Sequence, residues 1–254
     1  MQDYQKSPEP TYEGKASLLF AVQNEPDLLI IQRKDHVTKQ DGKVRDSIEG
    51  KGVYTNRISN ILFRLLRKAG IPTHFVRELS DTETLIRRAD PFLLEVIVRN
   101  LAAGSLCKRL PFETGAELPE PMFELCYKSD SFGDPFISDQ QAVFLHLLKD
   151  YDEADTIREL ALSINTVLWN FFQKIGIILV DFKIEFGRTP DGKIILIDEI
   201  SPDTCRFWDA KTRESLDKDI FRNGHSNDET YAAYQEIFNR LTAQLGTDDE
   251  APAS

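Results

Sequence analysis

VDFKIEFG at residues 180–187 decides the fold of this chain together with IILIDE at residues 194–199. From Val180 onward polar and apolar residues alternate, which is the pattern of a β-strand with one buried face. The other face carries Asp181, Lys183 and Glu185. Between the two segments, TPDGK at residues 189–193 has the residue types of a tight turn. The sequence therefore predicts a β-hairpin with one apolar and one charged face.

Two acidic residues of this hairpin are expected to face each other. If the turn is centred near Asp191 and Gly192, Glu185 lies across from Asp198. The β-carbons of opposed residues are only about 4.5–5.5 Å apart, so two carboxylates there repel each other. A magnesium ion would remove this repulsion, because it binds a few carboxylates and completes its coordination with phosphate oxygens and water. The alternative interpretation is a solvated charged face on which Lys183 pairs with a neighbour.

The rest of the chain reads as a mixture of strands and helices. We predict an N-terminal hairpin at 12–22 and 27–32 with Gly14 and Lys15 in its first strand, further strands at 73–79, 83–86 and 92–99, and helices at 55–69, 139–149, 152–174 and 229–245. The strand at 92–99 is almost continuously apolar and is expected to be central in its sheet. Residues 34–52 form a long charged connection, which is typical of a functional loop. Residues 247–254 are expected to fray.

Composition limits the classes of function. The chain has 254 residues, of which 41% are hydrophobic, enough for one large domain or two small ones. The net charge of −11 argues against a nucleic-acid partner, and no apolar run approaches the roughly 20 residues of a membrane span. Cys107, Cys126 and Cys205 are widely spaced, which argues against disulfides and a zinc site and favours the cytoplasm. Any metal is expected to be a hard ion bound by oxygen.

Basic residues gather around one small-residue turn. Ala102-Ala103-Gly104 is flanked by cations and a hydroxyl from Arg99, Ser105, Lys108 and Arg109. Such a loop can hold an anion or phosphate, although a surface turn with solvated charges has the same composition. The segment GKG at residues 50–52 could line phosphates or simply interrupt the loop before a helix. Residues 201–209, SPDTCRFWD, follow the acidic strand directly and lie where a substrate would bind.

Six ordered motifs resemble those of one family. They are YEGKA at 12–16, GIPTHFV at 70–76, VRNLAAGSLCKR at 98–109, ELCYKSD at 124–130, VDFKIEFG at 180–187 and DEISPDTCRFWD at 198–209. Together they span nearly the whole chain and resemble the SAICAR synthetase family, also called phosphoribosylaminoimidazole-succinocarboxamide synthases. Six motifs in order are far more specific than any one of them.

The resemblance implies an α+β fold with two lobes. A small β-rich nucleotide-binding lobe would occupy residues 1–90, and a larger α/β, ATP-grasp-like lobe with the metal and substrate site would occupy residues 91–254. It implies a cytoplasmic ligase of purine biosynthesis that joins L-aspartate to the carboxylate of carboxyaminoimidazole ribonucleotide. ATP would be cleaved to ADP and phosphate through an acyl phosphate. The implied partners are these small molecules, with no nucleic acid and no membrane, and a homo-oligomer is compatible with the family.

The resemblance also implies roles for individual residues. Asp181 and Lys183 match catalytic positions that face the reacting carboxylate. ATP contacts fall on Lys15, Lys128, Glu185 and Asp198, with Glu185 and Asp198 also on magnesium. Substrate contacts fall on Arg99, Ser105, Arg206 and Asp130. The implied cofactors are ATP and Mg²⁺.

Two stretches depart from the family pattern, and two other functions fit some of the residues. Thr38-Lys39-Gln40, within the loop 35–46 that holds Asp41-Gly42, differs from the small residues expected there, and 221–229 has no obvious motif. A small-molecule kinase would explain the acidic hairpin and Lys15, but it would not explain the need for Arg206-Phe207-Trp208. A nucleotide sensor without turnover would bind ATP and magnesium, but would have little use for Asp181 and Lys183.

Overall fold

The structure is a computed structural model that describes residues 4–39 and 44–245. Its strands are β1 (Tyr12–Glu13), β2 (Ser17–Val22), β3 (Glu25–Arg33), β4 (His36–Lys39), β5 (Val44–Ser47), β6 (Phe75–Glu78), β7 (Glu83–Arg87), β8 (Asp90–Pro91), β9 (Leu94–Leu101), β10 (Glu117–Tyr127), β11 (Phe136–Ile137), β12 (Ile177–Arg188), β13 (Ile194–Ile197) and β14 (Cys205–Asp209). Its helices are α1 (Lys51–Lys68), α2 (Ser105–Arg109), α3 (Asp139–Phe144), α4 (Tyr151–Lys174), α5 (Asp219–Arg222) and α6 (Asn227–Leu245).

Two antiparallel sheets organise the described residues into an α+β fold. The smaller sheet has the strand order β1-β2-β3-β7-β6. The larger sheet has the order β11-β10-β9-β12-β13, and β14 and β8 also pair with β12. β9 is internal to this sheet, as its apolar sequence predicted. The change from one sheet to the other falls between β7 and β8, and the division into lobes at residue 90 stays a prediction.

The principal core forms on the apolar face of β12. Phe182, Ile184 and Phe186 are all buried there, as the alternation of the strand predicted. They belong to a cluster that packs α1, α4 and α6 against the larger sheet. Within it the Phe172 ring of α4 lies 4.6 Å from the Phe207 ring of β14, measured between centroids. One face of β12 therefore holds the fold together, which leaves the other face free for charged residues.

The long helices and the later hairpin are confirmed, but three local predictions were wrong. Gly14 and Lys15 lie in a turn between β1 and β2, where the Gly14 amide donates to the Ser17 carbonyl at 2.9 Å, rather than within a strand. The helix predicted at 139–149 ends at Phe144, because His146 adopts a left-handed backbone with φ 56°. The connection at 34–52 contains a hairpin, in which β4 and β5 pair from His36 opposite Ser47.

Parts of two other predictions lie outside the described residues. The Asp41-Gly42 pair and Gln40 belong to the undescribed stretch 40–43, and the acidic tail at 247–254 follows the last described residue. No helix in the described part of the chain is both long and apolar enough to cross a membrane.

The aromatic contact between α4 and β14 leads to a stability prediction. Phe172→Ala should lower the free energy of unfolding by about 3–5 kcal/mol, because it leaves a cavity in a fully buried region. Phe144→Ala is the matched control, since that ring is 67% exposed, and it should change stability by no more than about 0.5 kcal/mol. Urea unfolding followed by circular dichroism measures both. Equal midpoints for the two variants would contradict this picture of the core.

Candidate active site

The charged face of the larger sheet gathers residues from three neighbouring strands. Asp181 on β12 pairs with Arg99 of β9 along one edge and with Arg206 of β14 along the other. Lys183, two residues further along β12, lies opposite Ile97, and Glu95 follows on the same face of β9. Because side chains on one face of a sheet repeat every second residue, these charged groups form a continuous surface.

Asp181 lies between two guanidinium groups. Arg99 donates from Nη1 to Oδ2 of Asp181 at 2.7 Å, and Arg206 donates from Nη1 to both carboxylate oxygens at 2.7 and 2.9 Å. The Asp181 and Arg99 side chains are almost completely buried. Burial alone lowers the pKa of Arg206, but attraction to Asp181 and then Asp219 outweighs it, so the pKa is raised. The Arg206 guanidinium is therefore held in its charged form.

Further residues complete this cluster. Ser105 Oγ accepts a hydrogen bond from Arg99 Nη2 at 2.9 Å, and Glu124 accepts one from Arg99 Nε at 2.6 Å. Asp219 joins Arg206 to Arg222 through hydrogen bonds of 2.6 Å on each side. The structure thus brings Arg99, Ser105, Asp181 and Arg206 together, and their roles towards a substrate stay a prediction. Glu124, Asp219 and Arg222 were missed, although the charged run DKDIFR at 217–222 was a signal for the last two.

The small-residue turn before α2 provides room for Arg206. Gly104 has φ 57°, and a β-carbon at this position would collide with the Arg206 guanidinium. Glycine is therefore required at this position for two reasons: the backbone has a positive φ, and the Arg206 guanidinium approaches the Gly104 backbone closely. The turn 102–104 therefore leaves the space that the Arg206 guanidinium occupies.

The register of the acidic hairpin differs from the prediction by one residue. Glu185 pairs with Ile197, and Asp198 follows directly after β13. Asp198 has a left-handed backbone with φ 66°, which takes it off the regular strand alternation. Burial and then repulsion by the Asp198 carboxylate raise the pKa of Glu185 to about 7, so the charge of Asp198 still acts on Glu185. The predicted direct opposition is therefore wrong, and a bend after the strand sets the position of Asp198.

Two lysines surround Glu185. Lys128 forms a salt bridge with Glu185, and Lys183 forms one with Glu95. Burial lowers the pKa of each lysine, but the neighbouring carboxylates, Glu185 for Lys128 and Glu95 for Lys183, outweigh it and raise the pKa. Lys183 therefore remains a cation and does pair with a neighbour, as the alternative interpretation of a charged face proposed. Its position between Asp181 and Glu185 nevertheless places that cation at the centre of the face.

Lys15 and Asp130 are also brought together. Lys15 Nζ donates to Asp130 Oδ1 at 2.7 Å, and both side chains are exposed. This hydrogen bond and the charge of Lys15 lower the pKa of the Asp130 carboxyl. The contact links the turn after β1 to the segment that carries Lys128, so two residues predicted to bind ATP approach the same region from different sheets.

The segment 50–52 has a structural role in the described fold. Lys51 is 1% exposed and forms a salt bridge with Asp203, which also accepts a hydrogen bond from Tyr234 Oη at 3.0 Å. Gly50 has φ 78° and precedes α1, so it starts the helix from a left-handed conformation. Of the two interpretations of this segment, Lys51 fits the one without a phosphate role, because its charge is already paired within the fold.

The residues at the acidic end fit a magnesium ion. No cluster of three or more Asp, Glu, His or Cys arranged for a metal occurs in residues 4–39 and 44–245. Magnesium bound with a nucleotide often needs only one or two carboxylates, because phosphate oxygens and water supply the rest. Glu185 and Asp198 are such a pair, and the raised pKa of Glu185 shows that a nearby cation would stabilise its ionised form.

Asp217 is a buried carboxyl that lies close to Asp219, the partner of Arg206. It accepts hydrogen bonds from the amides of Phe207 at 2.8 Å and Asp219 at 2.7 Å. Burial and then repulsion by Asp219 raise its pKa from the ordinary 3.8 to about 7. This residue holds β14 next to the segment that leads into α5, but has no direct contact with Asp181 among the hydrogen bonds described.

Comparisons with known proteins agree on one family. Residues 10–241 match the sequence model described as SAICAR synthetase. A phosphoribosylaminoimidazole-succinocarboxamide synthase of Nautilia profundicola is 46% identical over 230 residues, covering 91% of this chain and 97% of the relative. One of Lachnoclostridium phytofermentans is 49% identical over 236 residues, covering 93% of this chain and 98% of the relative.

Solved structures give the same result. A SAICAR synthetase in complex with ADP has 45% sequence identity and a TM-score of 0.87, covering 96% of this chain and 99% of that one. The phosphoribosylaminoimidazole-succinocarboxamide synthase of Ehrlichia chaffeensis has 39% identity and a TM-score of 0.88, covering 92% and 99%. The α+β fold expected from the sequence is therefore confirmed.

The pKa of Asp217 predicts how stability depends on pH. The pKa of Asp217 in the folded protein, about 7, is above the ordinary 3.8, so folding favours the protonated carboxyl. The stability that Asp217 contributes to the fold is therefore fully present below about pH 4 and is lost as pH rises towards 7. Between pH 5 and 8, the wild type should lose stability relative to Asp217→Asn, by on the order of 1 kcal/mol or more. Urea unfolding at each pH measures this difference. Asp228→Asn, on an exposed surface of α6, is the control; a constant difference between wild type and Asp217→Asn would contradict the prediction.

Proposed function

Because this chain belongs to the SAICAR synthetase family, it is an ATP-dependent ligase of purine biosynthesis, and we propose that the charged face of its larger sheet is the active site. The reaction joins L-aspartate to the carboxylate of carboxyaminoimidazole ribonucleotide and releases ADP and phosphate. The observation that carries the proposal is the buried cluster in which Asp181 holds Arg99 and Arg206. Burying two cations around one carboxylate costs desolvation energy that a purely structural role does not require, and such groups cluster at functional sites.

The ribonucleotide is proposed to bind at the Asp181 end of the face. Arg99, Ser105 and Arg206 supply donors for its anionic groups, and guanidinium groups are well suited to phosphate because they donate in a planar fork. Asp181 orients both guanidiniums before the substrate arrives, which reduces the entropy lost on binding. Asp130, near the other end of the face through its contact with Lys15, is proposed as a more distant substrate contact.

The phosphates of ATP are proposed to bind at the Glu185 end. Lys15 and Lys128 approach this region from different sheets and can contact phosphate oxygens as point charges. Glu185 and Asp198 would hold Mg²⁺, which would supply positive charge to offset that of the phosphates. In this arrangement Lys128 would exchange part of its contact with Glu185 for phosphate.

The spacing of β12 links the two ends. Asp181 and Glu185 are four residues apart on one strand, which corresponds to about 13 Å, with Lys183 about 6.6 Å from each. Lys183 therefore lies where the γ-phosphate and the substrate carboxylate would meet. A fixed cation at this position stabilises the negative charge that develops during phosphoryl and acyl transfer.

The chemistry is proposed to occur in two displacements. A carboxylate oxygen of the ribonucleotide attacks the γ-phosphorus, the bond to the ADP oxygen breaks, and an acyl phosphate forms. The aspartate amine then attacks the acyl carbon, the bond to phosphate breaks, and the amine loses a proton as the amide forms. Lys183 stabilises the oxyanion in both steps, and Asp181 orients the ribonucleotide through Arg99 and Arg206.

Cysteine burial supports a reducing compartment for this chemistry. The three cysteines are free, and Cys126 and Cys205 are buried. Burial raises the pKa of the Cys126 thiol to about 12, so it is a poor nucleophile. We infer that the protein works in the cytoplasm, where unpaired thiols persist.

Substrate omission tests the function. ADP release by the wild type should require both aspartate and the carboxylated ribonucleotide, whereas a kinase would need no aspartate and a sensor would release no ADP.

Glu185→Gln and Asp198→Asn test the metal assignment, and each should lower the magnesium-dependent rate of ADP release by about 100-fold or more. Both should fold normally, because each removes one of two repelling carboxylates. A coupled ADP assay with thermal melting checks this, and a variant that retains the full magnesium-dependent rate would refute the metal assignment.

Gly104 tests the ribonucleotide end. Gly104→Ala should displace the Arg206 guanidinium and raise the KM for the ribonucleotide by about 10- to 100-fold, with little change in the KM for ATP. Gly192→Ala is the matched control, because Gly192 also has a positive φ but no atoms within 4 Å of an added β-carbon. Steady-state kinetics and thermal melting separate the two variants. Equal effects of both on the ribonucleotide KM would mean that backbone strain alone is responsible.

A further inference from the structure

Arg33 connects the smaller sheet to the acidic hairpin. It is the last residue of β3, and its side chain is only 3% exposed. Nη2 donates a hydrogen bond to the main-chain carbonyl of Asp198 at 2.7 Å. Nη1 lies 3.6 Å from Oδ1 of Asp198 and 3.7 Å from Oε1 of Glu199. One guanidinium therefore contacts both the backbone and the carboxylates at the end of β13.

Charge, more than hydrogen bonding, explains why this group is buried here. Nε and Nη1 of Arg33 are buried and have no hydrogen-bond acceptor in the described structure. Leaving such donors unsatisfied is unfavourable, so the position must be stabilised in another way. The nearby carboxylates of Asp198 and Glu199 provide that stabilisation, because a permanently charged guanidinium offsets their repulsion.

Arg33 contacts the Asp198 carbonyl at the residue where the chain bends after β13. This residue has φ 66°, a left-handed conformation that L-residues other than glycine rarely adopt. Ile197, one residue earlier, is the regular partner of Glu185. Asp198 could not approach Glu185 by continuing the strand, since the next residue of a strand faces the opposite side. The bend at Asp198 takes the residue off this alternation, and Arg33 holds its carbonyl in the bent conformation.

Other groups around the bend do not replace Arg33. His74 is fully buried next to it, and burial and then the charge of Arg33 lower the pKa of His74 to about 3, so the imidazole is neutral. Lys128 and Lys183 contact Glu185 and Glu95 on the other side of the site. Lys51 is paired with Asp203. Arg33 is therefore the cation within salt-bridge distance of both Asp198 and Glu199 in the described contacts.

We propose that Arg33 is a positioning residue for the metal site: its guanidinium fork fixes the bend at Asp198 so that the Asp198 and Glu185 carboxylates converge on one divalent cation. This inference rests on the proposed magnesium role of Glu185 and Asp198. It goes further by assigning the geometry of that site to a residue of the other sheet. A shift of the smaller sheet relative to the hairpin would then change metal affinity directly.

Metal binding measured without turnover tests the inference. Mn²⁺ replaces Mg²⁺, and free Mn²⁺ is measured by electron paramagnetic resonance in the presence of ADP and the whole protein. Arg33→Lys keeps the charge but loses the fork, and Arg33→Met removes both. Each should raise the Kd for Mn²⁺ by about tenfold or more, as removal of a group that orients a metal ligand does. Metal-free ADP binding should stay close to that of wild type. Arg33→Met should lower the melting temperature more than Arg33→Lys does, because it leaves Asp198 and Glu199 without their cation, but both variants should remain folded at the assay temperature.

Arg88→Lys is the matched control, because Arg88 also holds a main-chain carbonyl, that of Pro26 at 2.6 Å, but on an exposed part of the smaller sheet. It should leave Mn²⁺ affinity unchanged.

The proposal would be overturned if Arg33→Lys bound Mn²⁺ as tightly as wild type and Arg33→Met bound it more tightly. Arg33 would then act on the metal by its charge alone. Loss of ADP binding together with Mn²⁺ binding, or failure of both variants to fold, would also overturn it in favour of a purely structural role. If Glu185→Gln leaves Mn²⁺ affinity unchanged, the metal assignment itself fails, and this result is independent of Arg33.

Discussion

The burial of Arg99 against Asp181 is the interaction on which the rest of the site depends. Removing an ion from water costs several kcal/mol even after the protein relaxes, unless an opposite charge and further hydrogen bonds compensate. Asp181 compensates Arg99 and Arg206 together, while Glu124 and Ser105 accept further hydrogen bonds from Arg99. These groups come from separate segments of the chain. The sheet can therefore bury this charge only when β9, β12 and β14 are adjacent, so the polar face helps to specify the same topology as the core.

The same constraint acts where α1 and α6 meet the loop after the hairpin. Asp203 is buried, and although burial raises its pKa, the cations Lys51 and Lys218 and the hydroxyl of Tyr234 hold it well below the usual range. Ser201 Oγ donates to Glu199 at 2.8 Å in the same region. The loop between Asp198 and Arg206 is thus fixed from both sides. This matters for the proposed function because the loop begins at the proposed metal site and ends at the proposed ribonucleotide site.

The parts that follow a local rule could be predicted from the sequence. Alternation along β12 assigned Asp181, Lys183 and Glu185 to one face, and apolar spacing located α1, α4 and α6. The register of the hairpin was wrong by one residue because residue types locate a turn but do not fix its centre, and the bend at Asp198 has no local signal. Arg33, Glu124 and Asp219 were missed for a related reason. Each acquires its role from a partner distant in sequence, and no periodicity reports such a pairing.

A strand is a suitable scaffold for a two-ended site because its geometry is fixed by the ladder on both edges. β12 is paired with β9 and β8 along one edge and with β14 and β13 along the other. A shift in its register by one residue would move Asp181, Lys183 and Glu185 into the core and expose Phe182 and its neighbours, which is prohibitively unfavourable. The distance between the proposed ribonucleotide end and the proposed phosphate end is therefore set by core packing. Catalytic groups held in this way need no rearrangement as charge develops, which is the condition under which fixed charges lower a barrier most.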